Sequence, residues 1–470
     1  MFRKYVYIVL FCCITVSAYA NDTFLRGGDL SMVTYLEDWG TVFRYKDGTP
    51  GDVFDILQTY GVNFARLRLY NQPGTAVNDN GTTYRTPVKS PKYPSGYPYA
   101  GLEDILRLAK RAKAHDMKIC LSIYLSDYWS GADRQMIPAA WKNVTTTDVL
   151  GDSVYNFVKR IMQRMMAQGT EPEFVSIGNE SDCGILFNTL NGSKVSFGGH
   201  TDNIAQCVAL FNRAYDAVKE IAPAAQVAIH HSAGHDGRIT YCRQFFQKLV
   251  NNGCKFDIVG ASYYPYWASL QGSTDNTPTG MLKWAADMKK NIQKPVLIME
   301  VGYSWNKYRP YEKNGGYYEG QLHLNGSYNE ATEAGQESFI HALHEAIKTD
   351  DNIIGYLYWD PIFVDQKVSG KWTEVCWAEK YDAAYTTWWQ DGNIISNTTL
   401  FNYTGYPLSA LYREIASYGP AELPNLPALG DNQSATNGNH SATRKVLIGN
   451  QLLLIRDNKT YTFTGLELHP

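Results

Sequence analysis

LEDILRLAKRAKAHD (residues 102–116) runs directly into MKICLSIY (117–124), and the hydrophobic period changes at the junction. In the first segment Leu102, Ile105, Leu106, Ala109 and Ala112 recur at helical spacing, with Glu103, Arg107, Lys110 and Arg111 on the other face. In the second, apolar side chains fall on both faces of a strand, which needs a sheet covered on both sides. A helix feeding a strand buried on both faces is the unit of a parallel α/β sheet. The unit recurs outward in both directions. Helical stretches at 52–60, 149–168, 204–221, 241–251, 281–291 and 332–348 precede VNFARLRLY, FVSIGNE, QVAIHH, FDIVGASYY, PVLIMEVGY and NIIGYLYWD respectively. FLRGGDLS at 24–31 makes the eighth strand. Eight strands alternating with these seven helices, joined by right-handed crossovers, predict an α/β fold, the (β/α)8 TIM barrel, with long loops at its C-terminal face.

The barrel claims residues 21–418, and the flanks read differently. Arg3 and Lys4, the apolar run from Val6 to Val16 and the small-x-small Ala18-Tyr19-Ala20 form an export signal over 1–20. A lipoprotein reading through Cys12 or Cys13 is disfavoured, because neither follows a small residue. Beyond Tyr418 the Pro-, Asn-, Gly- and Ser-rich stretch 419–444 reads as a disordered linker. Residues 445–470 read as a small β-rich tail for sorting or anchoring, with Gly449-Asn450 and Asp457-Asn458 as turns. The chain is therefore expected to be exported, to a periplasmic, surface or extracellular location. No segment reaches the roughly 18 apolar residues of a membrane span.

A net charge of -3 over 470 residues gives no basic face for nucleic acid. The aromatic content is high, at 34 Tyr, 18 Phe and 11 Trp, and flat rings suit the apolar faces of sugars. Cys120, Cys183, Cys207, Cys242, Cys254 and Cys376 lack the C-x-x-C spacing of a metal site. Export permits a disulfide among them, and buried free thiols are the equal alternative.

Strand ends in such a barrel display functional groups. Those ends offer Asp29; Arg66 and Arg68; Asp127 and Trp129; Asn179 and Glu180; His230 and His231; Tyr263, Tyr264 and Trp267; Glu300; Trp359 and Asp360. Glu180 and Glu300 each close an apolar run, and two carboxylates facing one another are the equipment for glycosidic cleavage. Arg66 is assigned to the mouth, with Arg68 either sharing it or ion-paired against a helix. Adjacent His230 and His231 point to opposite faces of their strand, which argues against zinc.

GGDLSMVTYLED (27–38), NFARLRLYNQPG (63–74), LSDYWSGADRQMIPAAW (125–141), FVSIGNE, ASYYPYW (261–267), PVLIMEVGYSW (295–305) and GYLYWDPIF (355–363) follow in an order that resembles glycoside hydrolase family 53. Over about residues 25–416 the resemblance implies a secreted, retaining arabinogalactan endo-β-1,4-galactanase acting on pectic galactan. It implies Glu180 as acid/base and Glu300 as nucleophile, with Arg66 and Tyr263 beside Glu300. Asn179 would hydrogen-bond the sugar 2-hydroxyl, and Trp359 would lie under the reacting sugar. Asp29, Asp127, Trp129, His230 and Trp267 would bind neighbouring sugars or orient the acid. Some members of the family hold calcium in the loop after strand seven. Here that loop, 304–329, lacks a dense run of acidic ligands, so no metal and no cofactor are expected. The expected partner is β-1,4-galactan or arabinogalactan, and the chain is expected to act as a monomer. Rings in 304–329 and 372–389 are expected to close one end of the groove. A catalytically silent surface carbohydrate-binding protein, and a β-mannanase or β-glucanase on the same fold, are the alternatives.

Overall fold

The computed structural model describes residues 25–79, 81–88, 99–313, 316–319, 330–373, 375, 379–380, 393, 395–418, 444–448, 451–456, 459–462 and 467–468. The export signal, nearly all of the linker, Cys376 and most of the two aromatic insertions lie outside the described residues.

Eight parallel strands form a closed barrel. In chain order they and the helices between them are β1 (Leu25–Asp29), α1 (Val53–Thr59), β2 (Phe64–Leu69), α2 (Leu102–Ala114), β3 (Lys118–Ile123), α3 (Thr147–Ala167), β4 (Phe174–Ile177) and α4 (Ile204–Ile221). There follow β5 (Gln226–His231), α5 (Ile239–Asn251), β6 (Ile258–Tyr263), α6 (Pro278–Ile292), β7 (Val296–Val301), α7 (Glu333–Lys348) and β8 (Ile353–Tyr358). Each strand pairs with its sequence neighbour, and β1 pairs with β8 to close the ring. Helix starts follow local chemistry. The hydroxyl of Thr146 accepts from the Val149 amide, so α3 begins before the residue that periodicity alone suggested. Thr332 caps α7 through the Gly335 amide in the same way.

Inside the N-terminal end of the barrel, Leu25, Phe64, Cys120, Phe174, Ala228, Ile258, Leu297, Met299 and Leu357 form one buried apolar cluster. A larger cluster lies between the strands' outer faces and the helices. The floor is thus packed, and only the C-terminal face is left for polar groups. Among the described residues no helix is long and apolar enough to cross a membrane. Cys120, Cys183, Cys207, Cys242 and Cys254 carry free thiols.

Residues 425–470 form a separate unit. It contains an antiparallel sheet of Arg444–Ile448, Gln451–Arg456, Lys459–Thr462 and Glu467–Leu468, in that order.

Candidate active site

β2 places Arg66 and Arg68 two residues apart, and in a strand two such residues share a face. Both guanidinium groups are buried inside the barrel. Of the two places left open for Arg68, the structure gives the one inside the barrel, and there it is ion-paired. Arg68 pairs with Asp29 (3.1 Å) and Asp360 (2.6 Å). The Arg66 Nη1 donates to Glu300 Oε1 at 2.6 Å, while its Nη2 donates to Asn179 Oδ1 at 2.7 Å. Asp29 Oδ2 stands 3.6 Å from Arg66 Nε, and Asp29 Oδ1 accepts from the Ser31 amide and hydroxyl. Asp29 is therefore a buried counterion between two arginines, 1% exposed. Arg66 fixes the spacing of groups from β4 and β7.

Glu300 reaches the interior through an irregularity. Leu297 and Met299 already lie in the floor cluster, so strict alternation would send Glu300 outward. The β6–β7 register runs Ala261↔Ile298 and then Ser262↔Glu300, one residue being skipped on β7. That bulge turns the Glu300 carboxylate to the inside. There it accepts from Arg66 and from the Tyr264 hydroxyl, the latter at 3.0 Å to Oε2.

Glu180 stands three residues past the end of β4 with φ 45°, in the left-handed region that a non-glycine residue seldom occupies. Hydrogen bonds on both sides hold this backbone. Gln135 Nε2 donates to the Asn179 carbonyl at 2.7 Å, and the Ser181 amide donates to the His230 carbonyl at 2.6 Å. The Asn179 side chain is fully buried, with its Nδ2 donating to the Ser130 carbonyl at 2.8 Å. The Asn179-Glu180-Ser181 sequon is thus closed to a glycan.

The hydroxyl of Ser262 joins the two carboxyl groups. It donates to Glu180 Oε1 at 2.8 Å and lies 3.5 Å from Glu300 Oε2. Behind it, His230 Nε2 is 2.9 Å from the same oxygen. Burial, then the Arg66 charge, push His230 well below its ordinary pKa, so the ring is neutral. Among the described residues its Nδ1 has no partner, and the network therefore assigns the proton to Nε2, which donates to Ser262. Burial first, then the charge of Glu300 and that of Asp182, hold Glu180 well above the ordinary carboxylic range. Glu180, biased toward its protonated form, thus faces the Glu300 carboxyl group, which accepts from Arg66 and Tyr264.

The ring of Trp359 lies beside Trp129 (centroids 6.1 Å apart) and edge-to-face with Tyr264 (6.0 Å), an aromatic wall above the carboxyl groups. Two expected residues have other partners. Tyr263 faces outward, its hydroxyl donating to the Asn276 carbonyl and its ring lying 6.2 Å from Phe339. Since Ser262 points inward, alternation gives the place beside Glu300 to Tyr264, which corrects the choice of Tyr263. Asp127 accepts from the backbone amides of Gln72 and Ala139, bracing two loops. Trp267 stands 41% exposed on the short helix Pro265–Leu270, against Tyr266. Ser262 itself was missed, although its position two residues before Tyr264 in ASYYPYW was a legible signal. His231 faces the helices, near Cys242 and Phe245. Among the described residues no cluster of His, Cys, Asp and Glu could hold a metal ion.

A closed eight-stranded α/β barrel with two carboxyl groups bridged at its mouth has the form of a glycoside hydrolase. The profile of glycosyl hydrolase family 53 matches residues 25–413, and the chain belongs to that family. It is 27% identical over 413 residues to the endo-beta-1,4-galactanase of Bacillus subtilis, covering 83% of this chain and 85% of that one. It is 25% identical over 370 residues to the arabinogalactan endo-beta-1,4-galactanase of Cellvibrio japonicus, covering 77% and 87%. Among solved structures, the family 53 catalytic domain of Ignisphaera aggregans superimposes with a TM-score of 0.66 at 25% identity, over 84% of this chain and 96% of that one. A fungal beta-1,4-galactanase superimposes at 0.62 with 22% identity, covering 84% and 99%, which speaks to the fold.

Proposed function

We propose that this protein is an exported endo-β-1,4-galactanase that cuts pectic galactan with retention of configuration. The observation that carries the mechanism is the Ser262 hydroxyl in contact with both carboxyl groups. End to end its two contacts, 2.8 and 3.5 Å, are shorter than the roughly 6.5 Å at which the carboxyl pairs of inverting enzymes begin. A carboxyl pair this close supports retention over inversion. Glu180 protonates the glycosidic oxygen while Glu300 attacks the anomeric carbon, giving a glycosyl ester and a free leaving chain. Glu180, now ionised, takes a proton from water, which attacks the ester and releases Glu300.

The surroundings support this division of labour. Arg66 and Tyr264 donate to Glu300 and hold it in place as the nucleophile, and the buried setting of Glu180 keeps its proton until the leaving oxygen takes it. Asn179 is held by Arg66 and Ser130 at the edge of the carboxyl pair, where a remaining Nδ2 hydrogen serves the sugar 2-hydroxyl. Trp359, flanked by Trp129, forms the floor under the reacting sugar. Asp29, Asp127 and His230 act through neighbouring groups, and Trp267 meets a more distant sugar.

The substrate rests on the named activities of the relatives, and no metal or cofactor enters the chemistry. The export signal read at residues 1–20 supports an enzyme outside the cytoplasm, acting there as a monomer on polymeric substrate. Incubation with linear galactan, arabinogalactan, mannan and cellulose tests the reading. Galactan is expected to yield new reducing ends of mixed length with the β-configuration retained. Cleavage of mannan or cellulose in preference to galactan, or release of the α-anomer, overturns it.

A further inference from the structure

A cavity of about 400 Å³, lined by none of the side chains described at the carboxyl pair, lies between the segment that follows β2 and the middle turns of α3. It is lined by Asn71, Gln72, Trp141, Asn156, Phe157 and Arg160, with no acidic side chain. Asp127 builds its walls. One carboxylate oxygen accepts from the Gln72 amide at 2.8 Å and the other from the Ala139 amide at 2.7 Å, so two lining loops share one buried anchor. The Asn71 amide is also tied, to the Ser126 carbonyl at 2.9 Å. Trp141 is half-buried and meets Phe157 edge-to-face at 5.8 Å, which fixes the indole without covering it. The frame is thus built before any ligand arrives.

Asn156 and Arg160 stand four residues apart on one face of α3. Among the described residues, neither side chain has a hydrogen-bond or ion-pair partner, and the Gln72 carboxamide has none; Arg160 lies over the Phe157 ring at 5.6 Å. An indole surface beside two carboxamides and a guanidinium matches a pyranose, which has one apolar C–H face and a rim of hydroxyls needing both donors and acceptors. One exposed cation is too little to hold a polyanion in physiological salt. Another cavity of similar volume, lined by Asn78, Asp133, Arg134 and Asn188 among others, offers polar groups without an aromatic ring.

We propose that the cavity at Trp141 is a second carbohydrate site, which takes one neutral galactosyl unit of the polymer whose chain is cut at the barrel mouth. The ligand rests on the galactanase reading above. Holding the polymer at a second point raises the local concentration of chain near the catalytic carboxyl groups without adding any contact to them.

The test uses the full chain. Two variants, Trp141→Ala and the double change Asn156→Ala with Arg160→Ala, are placed in a Glu300→Ala background and run through gels containing linear galactan. Apparent affinity for the polymer is expected to fall about tenfold, the scale of losing one aromatic contact. With Glu300 restored, turnover of soluble galactotetraose, a substrate for the barrel mouth alone under this proposal, is expected to change less than twofold. The double variant removes only exposed side chains, so it guards against a packing fault caused by loss of the indole. Unchanged retardation in both variants overturns the proposal, as does an equal loss on polymer and tetrasaccharide. Retardation by polygalacturonate as strong as by galactan overturns the neutral ligand. Failure of the wild-type chain to cut galactan overturns the catalytic reading instead, and it shows in that control before any variant is compared.

Discussion

The floor and the mouth of this barrel are made by the same eight strands, a few residues apart, under opposite physical rules. At the floor, Phe64 meets Phe174 edge-to-face at 5.2 Å within a cluster of apolar side chains. Two and four residues farther along the same strand stand Arg66 and Arg68, buried as completely as Phe64 but bonded to carboxylates. Floor contacts are non-directional, and their value follows the volume they fill. Mouth contacts are directional, and losing one partner strands a charge in a low-dielectric interior. The floor therefore supplies stability and a fixed frame. The mouth draws on that stability to keep a neutral acid, a carboxylate and two arginines within reach of one another.

The largest expected effect is at the mouth. Glu300→Ala should reduce galactan hydrolysis by about 10⁴-fold or more, the scale of deleting a catalytic nucleophile, while polymer binding remains. Residual turnover above a hundredth of wild type, measured as reducing ends, would remove Glu300 from that role. Arg66→Lys comes next. An ammonium cannot hold Glu300 and Asn179 in the planar two-armed geometry, and kcat should drop by about 10²–10³-fold with the circular-dichroism spectrum unchanged.

The floor should respond in the other currency. Phe174→Ala is expected to cost about 3–5 kcal/mol in urea unfolding, with the folded enzyme's kcat within twofold of wild type. A parallel collapse of activity at full folding would erase the division between the two ends.

The smallest effect sharpens the description of the mouth. In Ser262→Ala the acid/base loses a donor that favours its ionised form, so its pKa should rise further. Activity needs Glu180 protonated and declines as pH passes that pKa. The alkaline limb of kcat/KM should therefore move to higher pH, by up to about one unit, with kcat lowered on the order of tenfold. An alkaline limb that moves to lower pH would show that Ser262 serves Glu300 instead.

Much of the mouth was readable because strand ends announce themselves: Arg66, Asn179, Glu180, Glu300 and Trp359 each follow or close an apolar run. The undecided and mistaken points came where the reading assigned faces. Arg68 was left open to a helix although it shares parity with Arg66, and Tyr263 was taken for Tyr264 although Ser262 sets the inward phase of β6. Asp127 was assigned to sugar binding, and the structure shows it bracing the loops at Gln72 and Ala139. No parity argument could have placed Glu300, because its inward aim depends on a skipped residue in the pairing of β7 with β6.

Hydrophobic period and chain order determined the barrel, its eight strands and the end at which polar groups gather, since these depend on neighbours a few residues away. Which carboxyl groups meet, which serine bridges them and which tyrosine serves Glu300 were decided only when the ring closed. Those contacts join segments far apart in the chain, and their geometry follows from strand register and one bulge that local sequence does not encode.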